Sequence, residues 1–209
     1  MKRILRSLFG TIICITISII VFTYNVKAGV CGSDDDGFIC CNSFHTFGHG
    51  NYLSTYDDKK IRPRFISVDT NFSAYQKSLV NNMVNSWNSK LSENANSVFY
   101  MAEQQNYQIK LEKKILESNY LGYTTFFTKG GSELFINNKK LNSKYSKSII
   151  YIDTTQGVLQ QTIAHELGHA MGLSHRFCNK KSIMYNYMKT IEVTFPQVID
   201  AKTVYHIYL

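Results

Sequence analysis

Proline and tryptophan are nearly absent from this 209-residue chain, with 2 and 1 respectively, and only 18% of its residues are charged. So little proline excludes a collagen-like or proline-rich linker protein. Low charge combined with 44% hydrophobic residues excludes an intrinsically disordered one. The main apolar run, Leu8 to Phe22, has 15 residues and falls short of the roughly 20 that a spanning helix needs. Acidic residues are also scarce, 15 against 23 basic, which gives a formal charge of +8. That surplus alone invites a nucleic-acid reading, so the position of the charges matters.

Residues 1–28 open with Lys2, Arg3 and Arg6, continue through the apolar run, and close on Val26-Lys27-Ala28 before Gly29. This is the layout of a secretory signal peptide cleaved after Ala28, and it predicts a secreted protein with no stable membrane association after cleavage. The alternative, an uncleaved membrane anchor, fits the short run and the Val-x-Ala ending less well. Val30 before Cys31 argues against a lipid anchor. Removing the 28 residues takes away Lys2, Arg3, Arg6 and Lys27 and no acid, leaving 19 basic against 15 acidic residues, or +4 over 181. The remaining positive charge is scattered apart from Lys59, Lys60, Arg62 and Arg64 and the pair Lys180-Lys181. No aromatic platform is interleaved with it, so nucleic acid is not an expected partner.

Of the 5 cysteines, Cys14 lies in the signal segment, leaving Cys31, Cys40, Cys41 and Cys178. An even number in an exported chain predicts two disulfides. A bond between the adjacent Cys40 and Cys41 would be strained, so one of them is expected to pair with Cys31 and the other with Cys178.

Residues 29–60, rich in Gly, Asp, Ser and Asn, read as an irregular cysteine-containing segment, and 61–209 as one domain. Arg62 to Val68 has a strand pattern. Ser73 and Gln76 form a capping box for a helix that carries Tyr75, Leu79, Val80, Met83, Val84 and Trp87 on one stripe and ends near Asn88, with its Trp87 face expected on a sheet. Strand candidates follow at Ser97–Met101, Tyr107–Lys113, Tyr123–Phe127, Leu134–Asn137 and Ser148–Ile152, the last a continuous apolar run suited to an inner strand. A second helix is expected from Thr154 or Thr155 to about Met171. A terminal one runs from about Phe195 to Tyr208 with Val198, Ala201, Val204, Tyr205 and Tyr208 on one face. This order of elements indicates a mixed α/β (α+β) domain.

The second helix contains His165-Glu166-Leu167-Gly168-His169 and continues to Gly172 and His175. Residues four apart lie about 40° apart around a helix axis, so His165 and His169 project from one face, one turn apart. Leu159, Ile163, Leu167, Ala170 and Met171 occupy the opposite side. Gly172 supplies a left-handed turn that ends the helix and lets His175 return to the same point. Three neutral nitrogen ligands leave one position of a tetrahedral Zn²⁺ open for water, which is the mark of a catalytic site, and Glu166 is placed to reach that water.

The run His165–His175 resembles the extended zinc motif of the metzincin metalloendopeptidases, and Ser182-Ile183-Met184-Tyr185 is similar to their Met-turn. The chain most resembles a small secreted matrixin-type catalytic domain. Asn186 stands where matrixins usually carry proline, and Arg176 is a further departure that leaves the subfamily open. The resemblance implies a zincin-like metzincin fold: a mixed twisted sheet, two long helices, and a small C-terminal subdomain holding the Met-turn and terminal helix. It also implies one catalytic Zn²⁺ held by His165, His169 and His175, with Met184 beneath the imidazoles as an apolar base. Glu166 then serves as general base and acid in hydrolysing internal peptide bonds. Tyr185 and Tyr187 are candidates for lining the substrate pocket. A protein or peptide substrate is expected to bind extended, adding a strand to a sheet edge supplied by Leu134–Asn137 or Ile149–Ile152.

Weaker signals surround this core. Cys31-Gly32 with Asp34 and Asp35 is similar to the cysteine-switch segment of matrixin zymogens, although the disulfide reading of Cys31 is preferred. Asp34-Asp35-Asp36 is read as a solvated turn, and a Ca²⁺ requirement is not readable. His45 and His49 are read as loop residues and His206 as structural or exposed, while Asn71-Phe72-Ser73 is a glycosylation sequon. A monomer is expected. Two other functions share the metal motif: a non-catalytic zinc-containing binding protein on a protease scaffold, and a zinc amidase acting on cell-envelope material. Glu166 argues against the first, since metal binding alone requires no base there.

Overall fold

The computed structural model describes residues 64–91, 99–102, 107–117, 120–134, 136–137, 140–141, 145–155, 159–173, 175, 180–185 and 191–208. The predicted signal peptide, the 29–60 segment, Cys31, Cys40, Cys41, Cys178, His45, His49, Arg176, Asn186 and Tyr187 lie outside them. Eleven elements follow in order. They are β1 (Arg64–Val68), α1 (Ala74–Leu91), β2 (Phe99–Met101), β3 (Ile109–Lys113), β4 (Gly122–Phe127), β5 (Glu133–Leu134), β6 (Ile136–Asn137), β7 (Lys140–Leu141), β8 (Lys147–Ile152), α2 (Leu159–Ala170) and α3 (Val198–Tyr208).

Six strands form one sheet in the order β2-β1-β3-β8-β4-β5. β2, β1, β3 and β8 run parallel, while β4 is antiparallel to β8 and β5 antiparallel to β4. β8 is therefore an inner strand, as its apolar run predicts. Its position also overturns the expectation that Ile149–Ile152 offers a free edge, because β3 and β4 occupy both of its sides. The predicted strand Leu134–Asn137 is not one strand either. Glu133–Leu134 pairs with Phe126–Phe127 of β4, whereas Ile136–Asn137 turns away into a two-stranded hairpin with β7.

The capping box forms as expected. Gln76 N donates to Ser73 Oγ at 3.2 Å, and Ser73 N donates to Gln76 Oε1 at 2.9 Å. The stripe Leu79, Val80, Met83, Val84, Trp87 and Leu91 is buried, and burial continues one turn past Asn88. Tyr75, at the first turn, points to solvent with 70% exposure. Trp87 is fully buried, and its Nε1 donates to the Ala164 carbonyl at 2.9 Å, so its polar edge faces α2 rather than the sheet. Burying an indole requires a partner for that donor, and the second helix provides it. At the other end of the chain, Ala201 and Val204 of α3 are buried while Val198 is half-exposed. The Tyr205 hydroxyl donates to the Leu91 carbonyl and ties α3 to the end of α1.

After β8, Asp153 accepts from Thr155 N at 2.9 Å and from Thr155 Oγ1 at 2.5 Å, a local turn that leads toward α2. Every residue of α2 from Thr162 to Ala170 is buried. A helix enclosed on all sides can place polar groups where water is largely excluded.

Candidate metal centre

His165 and His169 lie one turn apart on α2, with ring centroids 4.6 Å apart. The chain then reverses at Gly172, whose φ of 95° is the left-handed conformation the sequence calls for. Gly172 N donates to the His169 carbonyl at 2.8 Å and Leu173 N to the Gly168 carbonyl at 3.1 Å, the paired bonds of a Schellman ending. Leu173 is buried, and the reversal brings the His175 ring to 5.1 Å from His165 and 4.7 Å from His169. One ligand atom from each of the three lies within 4.8 Å of the others.

The ring nitrogens are committed in a way that suits a metal. His165 Nδ1 lies 2.7 Å from the Ile183 carbonyl, and His169 Nδ1 lies 2.7 Å from the Leu173 carbonyl. A carbonyl only accepts, so each Nδ1 carries its hydrogen and each Nε2 presents a lone pair. His169 Nε2 and His175 Nε2 stand 3.2 Å apart. Two imidazoles bound tetrahedrally to zinc would place their nitrogens about 3.3 Å apart, so the spacing fits that ion. Burial, helped by the nearby His175, lowers His165 to about 3, and burial also holds His169 well below 6.5. Both imidazoles are neutral at ordinary pH, the form that could ligate a metal.

Glu166 is 4% exposed, and its Oε2 accepts from Thr124 Oγ1 of β4 at 2.7 Å. Burial raises its carboxyl to about 8, with the Thr124 hydroxyl opposing the shift. A carboxyl in that condition can both take and release a proton near neutrality.

Residues 182–185 form a turn that packs against α2 and contacts His165 through the Ile183 carbonyl. Tyr185 N donates to the Ser182 carbonyl at 3.1 Å, and Met184 N donates to Ser182 Oγ at 3.1 Å. Met184 is buried against Gly168 of α2, whose missing side chain leaves room for the thioether. Tyr185 is almost entirely buried.

Three contributors were not singled out by sequence reasoning. The wholly buried Asp200 accepts from Ser182 Oγ, from Ile183 N at 3.1 Å and from Gln197 N at 2.8 Å. One carboxylate thereby caps α3 and anchors the turn whose Ile183 carbonyl orients His165. An acid three residues after Gln197 at a helix start is a capping signal, although nothing local points it at Ser182. Thr124 and Gly122 reach Glu166 across the helix and sheet, and no local pattern marks them.

A family model described as matrixin, a peptidase family, matches residues 76–209. Among solved structures, the chain is similar to high choriolytic enzyme 1, a hatching-enzyme zinc protease from Oryzias latipes (medaka fish), at 11% identity and a TM-score of 0.44, covering 76% of this chain and 94% of that one. It is likewise similar to myroilysin at 12% identity and a TM-score of 0.42, covering 73% and 94%. Nothing among the curated proteins matches it.

Proposed function

The chain belongs to the matrixin family of zinc metalloproteases, and we propose that it is a secreted endopeptidase that cuts internal peptide bonds of extended substrates. In this reading residues 1–28 are the export signal, 29–60 a cysteine-containing lead segment, and 61–209 the protease domain. That the domain begins upstream of the matched residues is supported by β1, which sits between β2 and β3 in the sheet. His165, His169 and His175 hold the zinc, and Met184 forms the apolar floor under them.

Zinc at such a site supplies a bound water with a pKa of about 7 and polarises the scissile carbonyl. The protein does the proton handling. Glu166 accepts a proton from the attacking water, holds it within a buried pocket, and passes it to the departing amine. The Ile183 and Leu173 carbonyls fix the two helical imidazoles in the tautomer that leaves Nε2 free. Substrate binds along β4. β5 covers only Phe126 and Phe127, so among the described residues Gly122–Thr125 keep their outer edge without a ladder partner. This is the strand beside Glu166.

The single observation that carries the reading is the convergence of three imidazoles beside a buried carboxyl group. Peptide-library digestion tests it, with and without a chelator and with Glu166→Ala in parallel. Cleavage should stop on chelation, and Glu166→Ala should retain zinc while losing about 10²- to 10⁴-fold in turnover. A Glu166→Ala variant cleaving at the wild-type rate would make the assignment wrong.

A further inference from the structure

Among the described residues, the Glu166 carboxylate has one polar partner, the hydroxyl of Thr124. A carboxylate that is 4% exposed and must present one oxygen to a water needs its rotamer fixed, and a single partner makes the source of that constraint identifiable. Thr124 Oγ1 lies 2.7 Å from Glu166 Oε2 and 3.2 Å from the Glu166 main-chain carbonyl. The hydroxyl thus bridges the backbone and the side-chain tip of the same residue.

The neighbouring position on the strand supplies the space. In β4, alternate residues face α2, and Phe126 on that side is buried. Gly122 shares the face with Thr124. A Cβ there would come within 3.0 Å of Glu166 Cγ, 2.9 Å of Thr162 Cγ2 and 3.1 Å of the Tyr151 carbonyl. The strand therefore offers a hole for the Glu166 methylenes and, two residues on, a donor for its carboxylate. Pairing of Gly122 with Ile152 and of Thr124 with Ile150 locks both positions to the inner strand.

Resting on the protease reading above, we propose that Thr124 is a positioning residue for Glu166: its hydroxyl occupies Oε2 and leaves Oε1 as the oxygen that receives the water proton. Gly122 keeps the path of the side chain open. The hydroxyl is engaged by Glu166, and a substrate strand added to β4 would pair with its backbone, so removing the hydroxyl should act on turnover rather than on binding. Loss of one hydrogen bond to a charged group lowers a rate by about tenfold or more.

The test compares wild type, Thr124→Val, Thr124→Ser and Glu166→Ala, each with zinc content measured. Thr124→Val keeps the shape and the strand, so kcat should fall about tenfold or more, with KM within about twofold and zinc content unchanged. Thr124→Ser restores the hydroxyl and should return kcat to near wild type. A Thr124→Val enzyme with unchanged kcat, one that changes only in KM, or a Thr124→Ser enzyme as slow as Thr124→Val each overturns the inference. A second readout does not depend on cleavage. The carbon-13 side-chain carboxyl resonance of Glu166, assigned by its loss in Glu166→Ala, should move in Thr124→Val and return in Thr124→Ser. If that resonance stays in place, the positioning role is wrong even in a protein that cleaves nothing; absence of chelator-sensitive cleavage by wild type would instead remove the protease reading.

Discussion

Gly168 lies directly against the Met184 thioether: a Cβ at Gly168 would collide with the sulfur and come within 3.3 Å of Trp87 Cζ2. The glycine between the two helical histidines therefore lets the turn bearing Met184 close up under α2. Gly168→Ala should force Met184 aside or separate α2 from α1, an overpacking cost of about 1–3 kcal/mol. A melting temperature lower by several degrees is expected, with weakened zinc retention because the Ile183 carbonyl moves with the turn. Gly130→Ala is the control. Its Cβ would meet nothing closer than Thr128 Oγ1 at 3.7 Å, so its melting temperature should match wild type. Equal melting temperatures for both variants would remove Gly168 from this role.

Asp200 governs the same turn from the opposite side. Its carboxylate is the acceptor for Ser182 Oγ, Ile183 N and Gln197 N, all at buried or partly buried positions. Asp200→Ala leaves these donors without that acceptor, at a cost of about 1–3 kcal/mol for each that stays buried. The variant should be strongly destabilised. Zinc affinity should also fall about 10- to 100-fold, because the Ile183 carbonyl that orients His165 loses its anchor. Asp200→Asn keeps one acceptor oxygen and should recover part of both losses. Zinc titration under conditions where Asp200→Ala remains folded checks the coupling, and an affinity equal to wild type would separate Asp200 from the metal site.

The parts of this site legible in the sequence are those fixed by local geometry. The four-residue step from His165 to His169 follows from helix pitch, and Gly172 follows from the backbone conformation needed to end that helix. The Ser73–Gln76 box is local as well. Thr124 and Glu166, 42 residues apart, meet only because β4 runs beside α2, and no periodicity encodes that meeting. Leu134–Asn137 misled for a related reason. Its apolar pattern suits a strand, yet β4 offers partners only at Phe126 and Phe127, and the remainder pairs with β7. Ile149–Ile152 was recognisable as an inner strand, and that position is what denies it a free edge.

The metal-free protein should show a stability maximum near neutrality. Burial lowers His165 to about 3 and His169 well below 6.5, and it raises Glu166 to about 8. The two effects have opposite sign. Unfolding lets both histidines take up protons below about 6.5, so their contribution is present above that pH and is lost as the pH falls toward 3. Folded Glu166 keeps a proton that the unfolded chain releases above 4.5, so its contribution is present in acid and is lost as the pH rises through about 8. Each group sets a slope of about 1.4 kcal/mol per pH unit within its window. Between 4.5 and 6.5 the His165 gain offsets the carboxyl's loss and His169 adds to the gain, whereas the carboxyl acts alone from 6.5 to 8, so stability should peak near pH 6.5. A bound zinc cation favours the Glu166 carboxylate and should erase the alkaline decline, while proton competition for the imidazoles steepens the loss in acid. Thermal unfolding from roughly pH 4 to 9, with and without chelator, measures both limbs. A chelated protein whose melting temperature keeps climbing above pH 7 would show that Glu166 does not hold its proton in the folded state.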